Sequence, residues 1–269
     1  MAVRPGLAAD EIMGTLIRYA EENRTEAVAD ELADRRGRRG AVAGGGRAPR
    51  PSQFIEPLGD PGAPRIETLP GFDAATRWAL DLKSDLDLWR GGRVRWADLS
   101  SKMLLAGPPG VGKSMWVRAL CNTLALPLLV TSAATWMSAG HLGEVLAAMN
   151  AAFAEASGRS PCILFIDEAD GLGSREGPRT RNDDFWVTYV NNALTLLDGA
   201  ARTEGVVVIG ATNRPSALDP ALTRAGRLEV TIEVTRPDTA TLAAIFRHHL
   251  GADLTAVAAD FHSASEADG

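Results

Sequence analysis

Residues 107 to 114 read Gly107-Pro108-Pro109-Gly110-Val111-Gly112-Lys113-Ser114, and this octamer restricts the possible folds more than any other stretch of the chain. It satisfies G-x-x-x-x-G-K-[ST] at every required position. Before it runs Lys102-Met103-Leu104-Leu105-Ala106, a short apolar run closed by a turn signal, as in a buried strand. After it, Lys113 to Leu126 contains neither Gly nor Pro and carries Met115, Trp116, Val117, Ala119 and Leu120, which predicts a helix. Strand, glycine loop and helix start together aim several backbone N–H groups and the positive helix end at one point, where a polyphosphate is favoured. In that setting Lys113 reaches the β- and γ-phosphates and the Ser114 hydroxyl ligates Mg²⁺. The octamer alone would be an ordinary turn; its flanks argue otherwise. The candidate nucleotide contacts are therefore Gly107, Pro108, Pro109, Gly110, Val111, Gly112, Lys113, Ser114 and Met115.

Two further strand ends complete a hydrolysis site. Cys162-Ile163-Leu164-Phe165-Ile166 is fully apolar and runs into Asp167-Glu168-Ala169-Asp170, the pattern of a central strand whose carboxyl end opens into a ligand crevice. Asp167 is expected to bind Mg²⁺ directly or through its water, and Glu168 to polarise the attacking water. Acids at a strand end are a weak signal alone and a strong one beside the 107–114 loop. Val206-Val207-Val208-Ile209-Gly210 forms another strand and finishes in Ala211-Thr212-Asn213-Arg214-Pro215. Asn213, at the neighbouring strand end, is placed to hold the water or the γ-phosphate by hydrogen bonds.

The remainder of the chain supplies context. Within 1–34, Leu7, Ile12, Leu16, Ile17, Ala20, Ala27, Val28 and Leu32 fall loosely at helical spacing and predict one or two amphipathic helices. These would pack on the main domain, on another subunit or on a partner. Residues 35–65 hold Arg35, Arg36, Arg38 and Arg39, a glycine triplet and several prolines, the composition of a flexible linker. The arginines suit a solvated linker better than contact with nucleic acid. The folded domain is expected over 66–236, beginning near Ile66, with a helix from Asp73 to Arg90 capped by Asp73 or Thr76. Further helices are predicted over Glu144 to Ala156, Asp183 to Leu197 and Leu242 to Leu250.

A chain of 269 residues can bury one sizeable core and carry an appendage. Its net charge of −6 argues against a dedicated nucleic-acid binder. Cys121 and Cys162 read as small core residues of a reducing compartment. With no long apolar run and no signal-like start, the expectation is a cytoplasmic protein without a membrane span.

Four motifs, GPPGVGKS, ILFIDEAD, ATNRP and Leu218-Asp219-Pro220-Ala221-Leu222-Thr223-Arg224-Ala225-Gly226-Arg227-Leu228, give the chain a resemblance to the AAA ATPases from about Ile66 to Leu250. The resemblance implies an α/β P-loop NTPase with a five-stranded parallel sheet in the order 5-1-4-3-2. Its strands lie near Lys102 to Gly107, Pro127 to Thr131, Cys162 to Asp167, Val206 to Ala211 and Val230 to Val234. It implies ATP and Mg²⁺ as ligands and a hexameric ring. Asn213 falls at the sensor position, and Arg224 and Arg227 at those of arginine fingers that reach the adjacent subunit's γ-phosphate. Leu69, Pro70 and Gly71 match the segment lining the adenine, and His249 matches a lid histidine at the adenosine. His141-Leu142-Gly143 matches a pore loop that grips a polypeptide, with histidine in place of the family's aromatic; Trp136-Met137 upstream would share the task or belong to the core.

The family's four-helix lid is represented over 237–269 by one helix and a polar tail, which predicts impaired nucleotide binding and ring assembly. The implied function is Mg²⁺-dependent ATP hydrolysis coupled to unfolding or remodelling of a polypeptide. The rivals are a nucleotide-dependent scaffold or switch that hydrolyses weakly, and a DNA-associated ATPase.

Overall fold

The computed structural model describes residues 54–60, 62–173, 183–200 and 202–250, without the side chains of 183, 249 and 250. The helices expected within 1–34, the linker as far as residue 53 and the tail after Leu250 lie outside the described residues.

The elements are β1 (Phe54–Ile55), α1 (Asp73–Arg90), β2 (Lys102–Ala106), α2 (Lys113–Leu124), β3 (Leu128–Ser132), α3 (Ala133–Met137), α4 (Leu142–Gly158), β4 (Cys162–Asp167), α5 (Asp183–Ala200), β5 (Val206–Thr212), β6 (Val230–Glu233) and α6 (Thr239–Leu250). The sheet order is β1-β3-β4-β5-β2-β6. From β6 to β3 all pairings are parallel, and their order is the expected 5-1-4-3-2.

Alternation along the central strands explains why they read as unbroken apolar runs. Successive side chains point to opposite faces, and here both faces are covered. Leu104, Leu164, Ile166 and Val208 pack with Val145, Met149, Phe153 and Val190 of α4 and α5. Met103, Leu105, Phe165 and Ile209 pack on the other side with Leu82 and Leu86 of α1 and Trp116 and Leu120 of α2. The result is three layers, helix on sheet on helix. Cys121 and Cys162 are both free and buried, and burial pushes each thiol up to about 11. Among the described residues no helix is long and apolar enough to cross a membrane.

The structure corrects several expectations. The sheet has six strands, because Phe54 and Ile55 pair antiparallel with Leu129 and Leu128. This strand sits in what reads as linker, and two residues are too few to show an alternating pattern. It is fastened by side chains instead: Asn122 Oδ1 accepts from the Leu58 N–H at 2.9 Å and Asn122 Nδ2 donates to the Pro64 carbonyl at 2.8 Å. The Arg159 guanidinium lies over the Phe54 ring, 4.5 Å from its centre. Ordered structure therefore starts upstream of Ile66. Helix α1 begins after Phe72 with no side-chain cap, so neither Asp73 nor Thr76 serves. A further short helix, α3, starts where the Ser132 hydroxyl accepts from the Thr135 N–H at 3.0 Å. It buries Trp136 in the core at 2% exposure, which removes that ring from any pore.

Leu164 is fully buried on β4, between β3 and β5. Leu164→Ala is expected to destabilise the domain by about 2–5 kcal/mol, measured as a lowered urea midpoint with little change in slope.

Candidate active site

Parallel pairing brings three strand ends to one edge. Ala106 lies opposite Thr212 across β2 and β5, and Ile166 lies opposite Gly210 across β4 and β5. The chain leaves β2 at Gly107, whose N–H donates to the Thr212 carbonyl at 3.1 Å. A side chain at Gly107 would collide with the Val234 carbonyl, so only glycine fits. Gly112, at φ 90°, then turns the loop into α2, a left-handed backbone that L side chains resist.

Lys113 opens α2 and is only 8% exposed. Its ammonium donates to the carbonyls of Gly107 and Pro108 at 2.7 and 2.9 Å and to Asn213 Oδ1 at 2.7 Å. Burial lowers its pKa, while the Asp167 and Asp170 carboxylates push it back up. The Ser114 hydroxyl donates to Asp167 Oδ2 at 3.0 Å, and Asp167 Oδ1 accepts from the Glu168 N–H at 2.9 Å. The loop, the β4 acids and the β5 amide thus meet through direct hydrogen bonds.

Glu168 is exposed and adopts a left-handed backbone, φ 50° and ψ 42°. Only one other described non-glycine residue has positive φ, Ala125, and it ends α2 as a helix cap. Glu168 starts a single 3-10 turn, and strain of this kind concentrates at functional positions.

Asp170 has no role assigned by sequence reading, and the structure gives it one. Its carboxylate accepts from Thr212 Oγ1 at 3.1 Å, from the Asn213 N–H at 3.4 Å and from Arg214 Nε at 3.2 Å. It therefore fixes the segment that carries Asn213. The signal was the acid two residues after Glu168 in Asp167-Glu168-Ala169-Asp170, but its partners lie on another strand.

Leu69, Pro70, Gly71 and Met115 line a cavity of about 450 Å³ together with Ile245 and His248 of α6. Its size lies within the usual range for small-molecule sites. His248 is among the lining residues, and the side chain of His249, the expected histidine, lies outside the described residues. His141 caps α4 and is exposed, as is Gly143, while Leu142 packs partly on the core.

The two arginines do not share one environment. Arg227 donates through Nε and one terminal nitrogen to the Asp198 carboxylate at 2.7 and 2.8 Å, and through the other to the Ala221 carbonyl at 2.8 Å. This bond raises the Arg227 pKa and lowers that of Asp198. Arg224 is exposed; its carbonyl accepts from the Arg227 N–H at 3.1 Å, and its side chain makes no hydrogen bond or ion pair with the described residues. Neither arginine hydrogen-bonds to the Lys113–Asp167–Asn213 group. The nearby Glu229 carboxylate accepts from the Gly226 N–H at 2.8 Å.

A parallel sheet with a glycine loop entering α2 and acids at the end of β4 defines a P-loop nucleoside triphosphatase domain. Residues 103–236 match the ATPase family associated with various cellular activities (AAA), and the chain belongs to that family. It is 37% identical over 157 residues to the mitochondrial inner membrane i-AAA protease supercomplex subunit YME1 of Saccharomyces cerevisiae, a match covering 56% of this chain and 20% of that protein. It is 41% identical over 147 residues to ATP-dependent zinc metalloprotease FtsH 3 of Sphaerobacter thermophilus, covering 55% and 30% respectively. With ATP-dependent zinc metalloprotease FtsH of Pseudomonas putida the identity is 41% over 149 residues, covering 55% and 24%. The matches span less than a third of these relatives' length.

If Asp170 holds the Asn213 segment in place, Asp170→Asn should lower ATP turnover about ten- to a hundredfold. Titration with a fluorescent ATP analogue should show nearly unchanged affinity.

Proposed function

We propose that the chain binds ATP with Mg²⁺ and hydrolyses it by direct attack of water, as the motor part of a ring acting on a polypeptide. The observation that carries this reading is the convergence of Lys113, Ser114, Asp167 and Asn213 through hydrogen bonds of 2.7 and 3.0 Å. Ser114 and Asp167 present a hydroxyl and a carboxylate side by side, hard oxygen donors of the kind Mg²⁺ takes alongside water and phosphate oxygens. When bound, the ion neutralises charge on the β- and γ-phosphate oxygens.

The chain's own groups supply the rest. Loop 107–112 offers backbone N–H groups to the phosphates, and Lys113 adds a positive charge beside them. Glu168, at the β4 end and open to solvent, accepts the proton of the attacking water. Asn213, already hydrogen-bonded to Lys113, orients that water or the γ-phosphate. The apolar cavity walled by Leu69, Pro70, Met115 and Ile245 takes the base. Arg224, exposed and with no side-chain partner among the described residues, is the arginine available to an adjacent subunit, while Arg227 is held within its own chain.

The names of the relatives support ATP use. The peptidase activity in those names is not carried over: among the described residues no group of three or more His, Cys, Asp or Glu is placed to hold a metal ion. Polypeptide handling rests on the resemblance at His141-Leu142-Gly143.

Steady-state ATPase assays test the reading. Wild-type turnover should rise with protein concentration as rings assemble, and Glu168→Gln should reduce it at least about a hundredfold while still binding nucleotide. Equal and negligible rates for both proteins would replace the motor with a nucleotide-dependent switch.

A further inference from the structure

Lys102, the first residue of β2, takes no part in the chemistry above, yet it is 4% exposed. An ammonium at the base of a buried strand is unfavourable unless its donors are satisfied. Its Nζ donates to the Gly226 carbonyl at 2.6 Å and to the Leu197 carbonyl at 3.2 Å. Leu197 lies in the last turn of α5, where carbonyls lack helical partners and positive charge is favoured. Gly226 lies between Arg224 and Arg227.

We propose that Lys102 is a positioning residue for the arginine loop: by pinning Gly226 to the end of α5 it sets the direction in which Arg224 is presented to the nucleotide of the adjacent subunit. This rests on the reading of Arg224 as acting across a subunit boundary.

Four contacts make the loop a clamped structure. The Gly226 N–H is held by Glu229 at 2.8 Å while its carbonyl is held by Lys102. Arg227 is bound bidentately to Asp198, the residue after Leu197. Leu228, fully buried, anchors the loop to the core, with its N–H bonded to the Leu222 carbonyl at 3.1 Å. Gly226, through Lys102, and Arg227, through Asp198, are therefore tied to the end of α5, leaving Arg224 as the projecting group. The charges around the clamp are Lys102 and Arg227 against Asp198 and Glu229, with Arg202 also acting on Asp198 and Asp219 on Arg227.

Burial lowers the Lys102 pKa to about 8 while Glu229 and Asp198 oppose the shift. The group is thus mainly charged at neutral pH and keeps three N–H donors. Because Lys102 starts the strand that leads into Gly107, one strand links the arginine loop to the same subunit's nucleotide loop.

Complementation in mixtures of full-length variants tests the proposal. Lys102→Met alone should lose turnover about ten- to a hundredfold, with affinity for a fluorescent ATP analogue changed less than about twofold. Mixed with Lys113→Ala, whose arginine loop is intact, it should recover activity. Mixed with Arg224→Ala it should not, because both variants lack the same contribution.

The control is Arg224→Ala mixed with Lys113→Ala. If this control recovers and Lys102→Met with Lys113→Ala does not, Lys102 serves only its own subunit and the proposal is overturned. If the control itself fails, action across subunits is refuted and the proposal falls with it. Should Lys102→Met fail to fold by thermal unfolding, Lys102→Gln and Asp198→Asn, the latter at a partly exposed carboxylate, are expected in the same complementation group as Arg224→Ala. Recovery of either with Arg224→Ala would overturn the proposal.

Discussion

Everything in the site depends on the parallel pairing of β2 and β4 with β5. Ala106 faces Thr212 and Ile166 faces Gly210, so the residues that follow on each strand emerge at the same edge. A parallel sheet needs helices on both faces to carry its crossovers, and the two core clusters show that cover in place. Given that cover, the side chains beyond the strand ends have little freedom. A loop starting at Gly107, an acid at 167 and an amide at 213 meet because the sheet sets their separation.

That constraint also explains why three acids within four residues do different work. Asp167 is turned towards Ser114, Glu168 projects into solvent from a left-handed backbone, and Asp170 turns back to the segment from Thr212 to Arg214. The change of direction comes from the 3-10 turn that begins after Glu168. Residue type alone would not separate the carboxylate bonded to Ser114 from the exposed one and from the one bonded to the 212–214 segment. Partners separate them.

What was legible in the sequence follows the same line. The positions of the central strands and the span of α1 came through because long apolar runs and 3.6-residue spacing report burial directly, whereas the strand order came from the family resemblance. The four-motif pattern marked Lys113, Asp167 and Asn213 because their spacing is tied to strand ends. What failed to show depends on single side-chain partners. β1 is two residues, with Arg159 over Phe54 and the segment after it held at Leu58 and Pro64 by Asn122, both far away in sequence. Trp136 near the expected pore segment is core, since only the fold shows which way a short helix faces.

The arginine loop extends the argument from the site to the assembly. Arg224 and Arg227 are the same residue type, three apart, and sequence reading gave them one role. Asp198 separates them: the Arg227 guanidinium makes two short bonds to that carboxylate and a third to a carbonyl of its own chain, bonds that a reach across a subunit boundary would disturb. Breaking a paired charge in a half-buried site costs more than moving an exposed one, so Arg224 is the economical group to present. Two nearly buried lysines then lie at opposite ends of one strand-loop unit. Lys113 faces the nucleotide loop, and Lys102 faces the loop that carries Arg224. A displacement of β2 along its axis would be felt at both, which under the proposed role of Arg224 would connect the nucleotide held in one subunit to the arginine offered to the next.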